Sequence, residues 1–205
     1  MKPILIQLSA CVWLSTGAHA ASSVDLNVTG HITPSACEPT LSSGGQYDLG
    51  KIPVSDLNLD QPTKLPVHNL QLAITCEALT LLALEPRDNR LGSSYNDFST
   101  NFGLGLVSGD KKLGYVQLRL LAIVADGTGV HPIGSSGPGT WAPISLMSHY
   151  FLTSFAATSS SFVPVPIQQL NADLQISPTV APANTLPLTE ALPIDGSVTL
   201  SMNYL

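Results

Sequence analysis

Apolar side chains at Val198, Leu200, Met202 and Tyr204 alternate with Thr199, Ser201 and Asn203. This strict period of two fits a β-strand with one buried face and fits no helix. The chain closes on this strand at Leu205. Chain ends fray unless neighbours hold them, so a core-facing strand here is expected to be held on both sides or to await a partner. The same period recurs at Leu70, Leu72, Ile74 and Cys76, and again at Leu170, Ala172, Leu174 and Ile176. It recurs a third time at Val24, Leu26, Val28 and Ile32, where Gly30 takes one inward slot. Residues 46–54 read as a short strand, 80–84 as a continuous apolar run, and 115–124 as a long buried strand ended by the turn Asp126-Gly127. Between them lie turn-forming clusters at 42–45, 134–139 and 158–161, and a proline-spaced stretch at 178–187. Sixteen glycines and sixteen prolines spread over these positions imply many turns. The pattern predicts an all-β chain, a β-sandwich with long loops and at most one short helix. The helix candidate, residues 143–155, stands against an irregular loop. No repeat or linker divides the chain, so 21–205 is expected to form one domain.

The first twenty residues are of another kind. Lys2 is followed by an apolar stretch and then by Ala18-His19-Ala20, the charge, apolar run and small-x-small site of a secretory signal peptide. The apolar run is too short for a membrane anchor, and cleavage is expected after Ala20. Leu8-Ser9-Ala10-Cys11 also resembles a lipoprotein processing box, but that reading leaves almost no apolar core ahead of the cysteine. Removing residues 1–20 removes Cys11 and leaves Cys37 and Cys76. Two cysteines in an exported chain read as one disulfide rather than two thiols. The loop it closes, about 40 residues, is worth roughly 4 kcal/mol in unfolded-state entropy. The formal net charge is −6 with only eight lysines and arginines, which excludes a basic nucleic-acid surface. Charged residues are 11% of the chain and the mean hydropathy is +0.26, against a usual charged share of roughly 25%. No second long apolar run follows, so no membrane span is expected.

No catalytic motif stands out. Gly103, Gly105 and Gly109 superficially resemble a nucleotide-binding glycine loop, but Lys111-Lys112 and a strand follow where that motif needs a helix. His31, His68, His131 and His149 show no metal-ligand spacing. The serine clusters lack the Gly-x-Ser-x-Gly elbow. Asp48, Asp56 and Asp60 sit as turn residues, and Asp97, Asp110 and Asp126 do not form a calcium loop. Asn27-Val28-Thr29 matches a glycosylation acceptor on an expected strand. The chain is therefore expected to be no enzyme and to carry no cofactor or metal.

What remains concerns assembly. An N-terminal alternating segment runs into Pro34-Ser35-Ala36-Cys37. Tyr47-Asp48-Leu49-Gly50-Lys51-Ile52 follows, the second cysteine ends an alternating strand, and the last strand carries a penultimate Tyr204. This ordered set resembles the subunits (pilins) of chaperone–usher fimbriae of Gram-negative bacteria. Within them, residues 24–50 and 178–205 are similar to a fimbrial-like family of uncharacterised exported proteins. The resemblance implies an incomplete immunoglobulin-like sandwich whose missing last strand leaves a groove. A periplasmic chaperone fills that groove first, and the N-terminal strand of the next subunit then replaces it. Carried onto this chain, Val198, Leu200, Met202 and Tyr204 form the acceptor edge and the Leu205 carboxylate is the chaperone's grip. Val24, Leu26, Val28 and Gly30 form the donor strand, and Cys37 and Cys76 staple the first two strands. The implied partners are a chaperone, an outer-membrane usher and other subunits. The implied destination is a surface fimbrium reached through the periplasm, with a structural role contributing to adhesion. Two features depart from that pattern: only Ala21 to Ser23 precede Val24, which leaves open a strand that is the subunit's own first strand or pairs its own C-terminal strand, and the loops over 85–165 are long. The second favours an alternative, a minor or tip binding module that recognises glycan or host protein through loops around Trp141 and Tyr150.

Overall fold

The computed structural model describes residues 36–137 and 139–205. Among them, eight strands of five or more residues carry the architecture. They are β1 (Cys37–Leu41), β2 (His68–Thr80), β3 (Leu82–Asp88), β4 (Gly114–Ala125), β5 (His131–Ser135), β6 (Leu152–Ala156), β7 (Ile167–Val180) and β8 (Val198–Tyr204). One sheet runs β1–β2–β7–β4, with Phe102–Gly103 and Thr128–Gly129 added to β4 and Thr63–Lys64 to β7. The other runs β5–β6–β3–β8, with Ala142–Pro143 outside β5. The strand pairs are antiparallel. The chain is thus all-β, as its alternation predicts, and its two sheets close on one core in the manner of a sandwich. The expected strand 24–32 and the leader lie outside the described residues.

β7 is the spine of the first sheet. It pairs β2 from Leu170↔Ile74 to Ile176↔His68 and β4 from Leu170↔Ala125 to Val180↔Gly114. Its inward set Leu170, Ala172 and Leu174 is buried with Leu72 and Ile74 of β2 and Leu118 and Leu120 of β4. Leu82, Leu84 and Phe155 complete that cluster from the second sheet.

Several sequence expectations change. The long strand β4 is not buried throughout: Leu121 and Val124 lie on its outer face. Between the pairs Asp173↔Leu121 and Asn171↔Val124 the register shifts, so Ala122 and Ile123 together oppose Ala172. This is a β-bulge, with Ala122 in the left-handed region at φ 48°. It moves the inward set from even positions (Leu118, Leu120) to odd ones (Ile123, Ala125). Past the bulge, Asp126 and Gly127 both take positive φ, 48° and 79°, as a two-residue primed turn requires. The Asp126 carboxylate accepts the backbone N–H groups of Gln168 and Gln169, at 3.1 and 2.8 Å.

Residues 46–54 form no strand. They turn at Gly50, whose φ is 66° and whose N–H donates to Asp48 Oδ1 at 2.8 Å, and lead into a short 3-10 turn, Val54–Asp56; Tyr47 stacks on His68 at 4.3 Å instead of joining a ladder. The apolar run 80–84 is a corner: Leu81 separates β2 from β3, and the chain passes there from one sheet to the other. Residues 143–155 contain no helix. Turns lead into β6, which pairs β5 on one side and touches β3 at Thr153↔Leu84 on the other. Nor is the stretch 178–187 all loop, because β7 continues through Pro178 to Val180.

Candidate functional site

The C-terminal alternation becomes β8, whose seven residues pair with β3 from Val198↔Asp88 to Tyr204↔Leu82. Among the described residues no strand pairs its other side, so β8 is the edge of its sheet. Val198, Leu200 and Met202 turn inward, half-buried against the core. Leu205 is 46% exposed, and its N–H donates to the Leu81 carbonyl at 3.1 Å.

The first sheet ends in an edge of its own. Among the described residues β1 pairs with β2, Cys37↔Cys76 to Leu41↔Leu72, and Cys37 and Leu41 are partly buried against the same core. Cys37 and Cys76 form a disulfide across directly opposed positions, with Cα atoms 4.0 Å apart. The Cys37 N–H points away from β2 and donates to the Tyr204 hydroxyl at 3.0 Å. That bond places the outer edge of β1 beside the end of β8. Tyr204 is not a core-facing residue like its alternating partners; it closes one end of a seam between the two sheet edges. Of the expected acceptor residues, Tyr204 thus meets the disulfide residue Cys37. The donor positions Val24, Leu26, Val28 and Gly30 lie outside the described residues.

Side chains that sequence patterning missed hold β8 in place. The Asn89 amide donates to Ser197 Oγ and Thr199 Oγ1, both at 2.9 Å. Arg90 clasps Asp195 just before the strand, Nε to Oδ2 at 3.0 Å and Nη2 to Oδ1 at 2.8 Å. Hydrogen bonding and the charge of Arg90 hold the Asp195 carboxyl below its ordinary range, partly opposed by desolvation. Only the fold brings positions 90 and 195 together, so no local spacing announces the pair.

The loop after β3 forms a second feature. The buried Asp88 accepts N–H groups from Arg90 at 2.8 Å and Gly103 at 2.9 Å, stitching the two ends of that loop. Gly103 lies so close to Ser93 Oγ and to the Arg90 carbonyl that a Cβ there would meet the carbonyl at 2.7 Å. The glycines beyond it serve turns: Ser108 and Gly109, both at positive φ, link Leu106–Val107 to Lys111–Lys112. Beside this loop opens a cleft of about 430 Å³ walled by Leu91, Asp97, Phe98, Lys112, His149 and Tyr150. Trp141 and His131 do not line it. No three His, Cys, Asp or Glu side chains gather as a metal site among the described residues. No helix there is long and apolar enough to cross a membrane.

Residues 26–108 match the family model described as "Protein of unknown function (DUF1120)", a span that takes in β1, β2, β3 and the loop after it. Protein GltF of Escherichia coli (strain K12) is 29% identical across all of this chain and 99% of its own length. Uncharacterized protein YhcF of the same organism is 24% identical across the full length of both. The chain is similar to these proteins from end to end, including the closing strand that lies beyond the family match.

Proposed function

We propose that this chain is a non-enzymatic structural subunit of a chaperone–usher fimbria, assembled by strand addition at the open side of its sandwich. The observation that carries the reading is the outer edge of β8, unpaired among the described residues, with Val198, Leu200 and Met202 half-buried beside it. An exposed edge of this kind is an aggregation hazard that folded proteins cover or blunt. An added strand would satisfy its main-chain groups, and alternating side chains would fix its register. The strand order supports an immunoglobulin-like sandwich that lacks its last strand, since β8 sits where that strand's partner would lie. The donor is the alternating set Val24, Leu26 and Val28, with Gly30 where backbones pass closely. Three or four such side chains, at roughly 1.5–3 kcal/mol each, give about 5–12 kcal/mol before the costs of association. In this reading a periplasmic chaperone grips the Leu205 carboxylate and covers the edge. The usher then delivers the subunit to the surface fimbrium, where it contributes to adhesion. The cleft beside the β3 loop favours the alternative that such a subunit also binds a ligand.

The test is expression of residues 21–205 in a periplasm lacking any fimbrial chaperone, followed by addition of a synthetic peptide spanning residues 21–33. The expected result is poor yield or aggregation of the chain alone, and a raised melting temperature with the peptide. A peptide carrying Leu26→Asp should lose that effect. A stable, soluble monomer indifferent to the peptide would overturn the proposal.

A further inference from the structure

We infer that the cleft beside the β3 loop is a binding site for a neutral saccharide. Phe98 and Tyr150 are each 68% exposed, and Leu91 is equally so, yet all three sit on one concavity. Apolar side chains scattered singly over a surface need no explanation, but three gathered on a cleft mark a recognition site. The volume of about 430 Å³ falls within the roughly 300–1,000 Å³ of small-ligand pockets. It is a concavity, unlike the broad faces of some 800 Å² by which proteins bind one another.

The walls are built, not loose. The Tyr150 ring leans on His149 with centroids 4.6 Å apart, and His149 meets the fully buried Phe102 edge-on at 5.8 Å. The backbone N–H of Tyr150 donates to Ser148 Oγ at 3.1 Å, and that of His149 to the Ser99 carbonyl at 3.0 Å. A core residue thus anchors an aromatic surface facing solvent. Such a surface suits the C–H face of a pyranose ring, which is apolar, while the ring's hydroxyls need polar partners at its rim.

Those partners are present as a donor beside an acceptor. Lys112 Nζ lies 2.9 Å from Asp97 Oδ1, so two adjacent hydroxyls could donate a hydrogen bond to the carboxylate and accept one from the ammonium. The charge balance selects among sugars. Asp88 and Asp97 set two carboxylates against the one ammonium of Lys112, which disfavours sialylated, sulfated or phosphorylated ligands.

The probe is an array of neutral and sialylated oligosaccharides, read with the full exported chain and followed by calorimetric titration of the neutral hits. The expected result is binding to neutral glycans. Phe98→Ala and Tyr150→Ala should each weaken it by about tenfold or more, while Tyr150→Phe preserves it. Val163→Ala, exposed elsewhere, should change nothing. Both rings are exposed, so these variants are expected to fold, and far- and near-ultraviolet circular dichroism checks that they do. An array with no neutral hit, binding confined to sialylated glycans, or folded ring variants that bind as wild type would each overturn the inference. Binding to host glycoproteins that survives their enzymatic deglycosylation would assign the cleft to a protein partner and overturn it equally. None of these outcomes depends on strand addition at β8.

Discussion

Two residues hold conformations or groups that their surroundings do not favour. Thr153 is fully buried in β6, and among the described residues its hydroxyl has no hydrogen-bond partner. A buried polar group without a partner costs about 1–3 kcal/mol. Thr153→Val keeps the branched shape and removes that cost. Urea unfolding should show the variant more stable by about 1 kcal/mol, with a higher midpoint and an unchanged slope. Ala122 occupies the left-handed region at the β4 bulge, where an L side chain costs roughly 1–2 kcal/mol. Glycine relieves that cost but loses roughly 0.5–1 kcal/mol through its freer unfolded chain. Ala122→Gly should therefore stabilise by about 0.5 kcal/mol, whereas Ala122→Val should destabilise by more than about 1 kcal/mol. The same unfolding series ranks the three. A ranking with valine above alanine would show that the bulge relaxes. Neither site was legible in sequence, because Thr153 falls in the stretch 143–155 that reads as a helix or an irregular loop, and Ala122 sits in an apolar run that shows no break.

At the scale of elements, legibility followed the number of solvent-facing sides. β8, the inner half of β2 and the middle of β7 each show one wet face, so Val198, Leu72 and Leu174 announce themselves by alternation. β6 does not, since Thr153, Ser154, Phe155 and Ala156 are all buried and no polar face breaks the pattern into a period of two. β3 hides differently, because Glu85, Pro86 and Arg87 interrupt its apolar start. Of the candidate seam, the β8 side was therefore readable. The ties that hold it, Asn89 to Thr199 and Arg90 to Asp195, depend on contacts more than a hundred residues apart and were not. The second tie carries a pH signature. The Asp195 carboxyl is held low when folded, so its contribution is complete above the ordinary aspartate value of about 3.9 and is lost as pH falls through the folded value. Unfolding midpoints of wild type and Asp195→Asn should differ by a constant amount above about pH 5 and converge in more acidic solution. A gap that persists unchanged to pH 2 would show that Arg90 acts through packing alone. The pair is exposed, and added salt should narrow the gap as well.

For the whole molecule, the seam and the disulfide act on the same side, and this decides how the sandwich should come apart. The spine of the first sheet, β7, is paired along both flanks and packs Leu170 and Leu174 into the common core. β1 is short, and among the described residues its ladder is the five residues against β2. What fixes it is the Cys37–Cys76 bond, whose sequence separation of 39 corresponds to roughly 4 kcal/mol of unfolded-state entropy. That is a large share of the usual 5–15 kcal/mol of a single domain. Reduction should thus leave the β4–β7–β2 centre folded but close to its stability limit, and should free β1 first. It should also slacken the Cys37 N–H contact to Tyr204, opening the seam at its closed end. Hydrogen exchange of the full exported chain, oxidised and reduced, reads this directly. The amides of 37–41 and of the facing β2 residues 72–76 should lose protection on reduction. Those of 170–176 that face β4 should change only by the global loss. Uniform loss of protection across both sheets would mean instead that the sandwich opens as one unit. The disulfide would then act on overall stability and not on the seam.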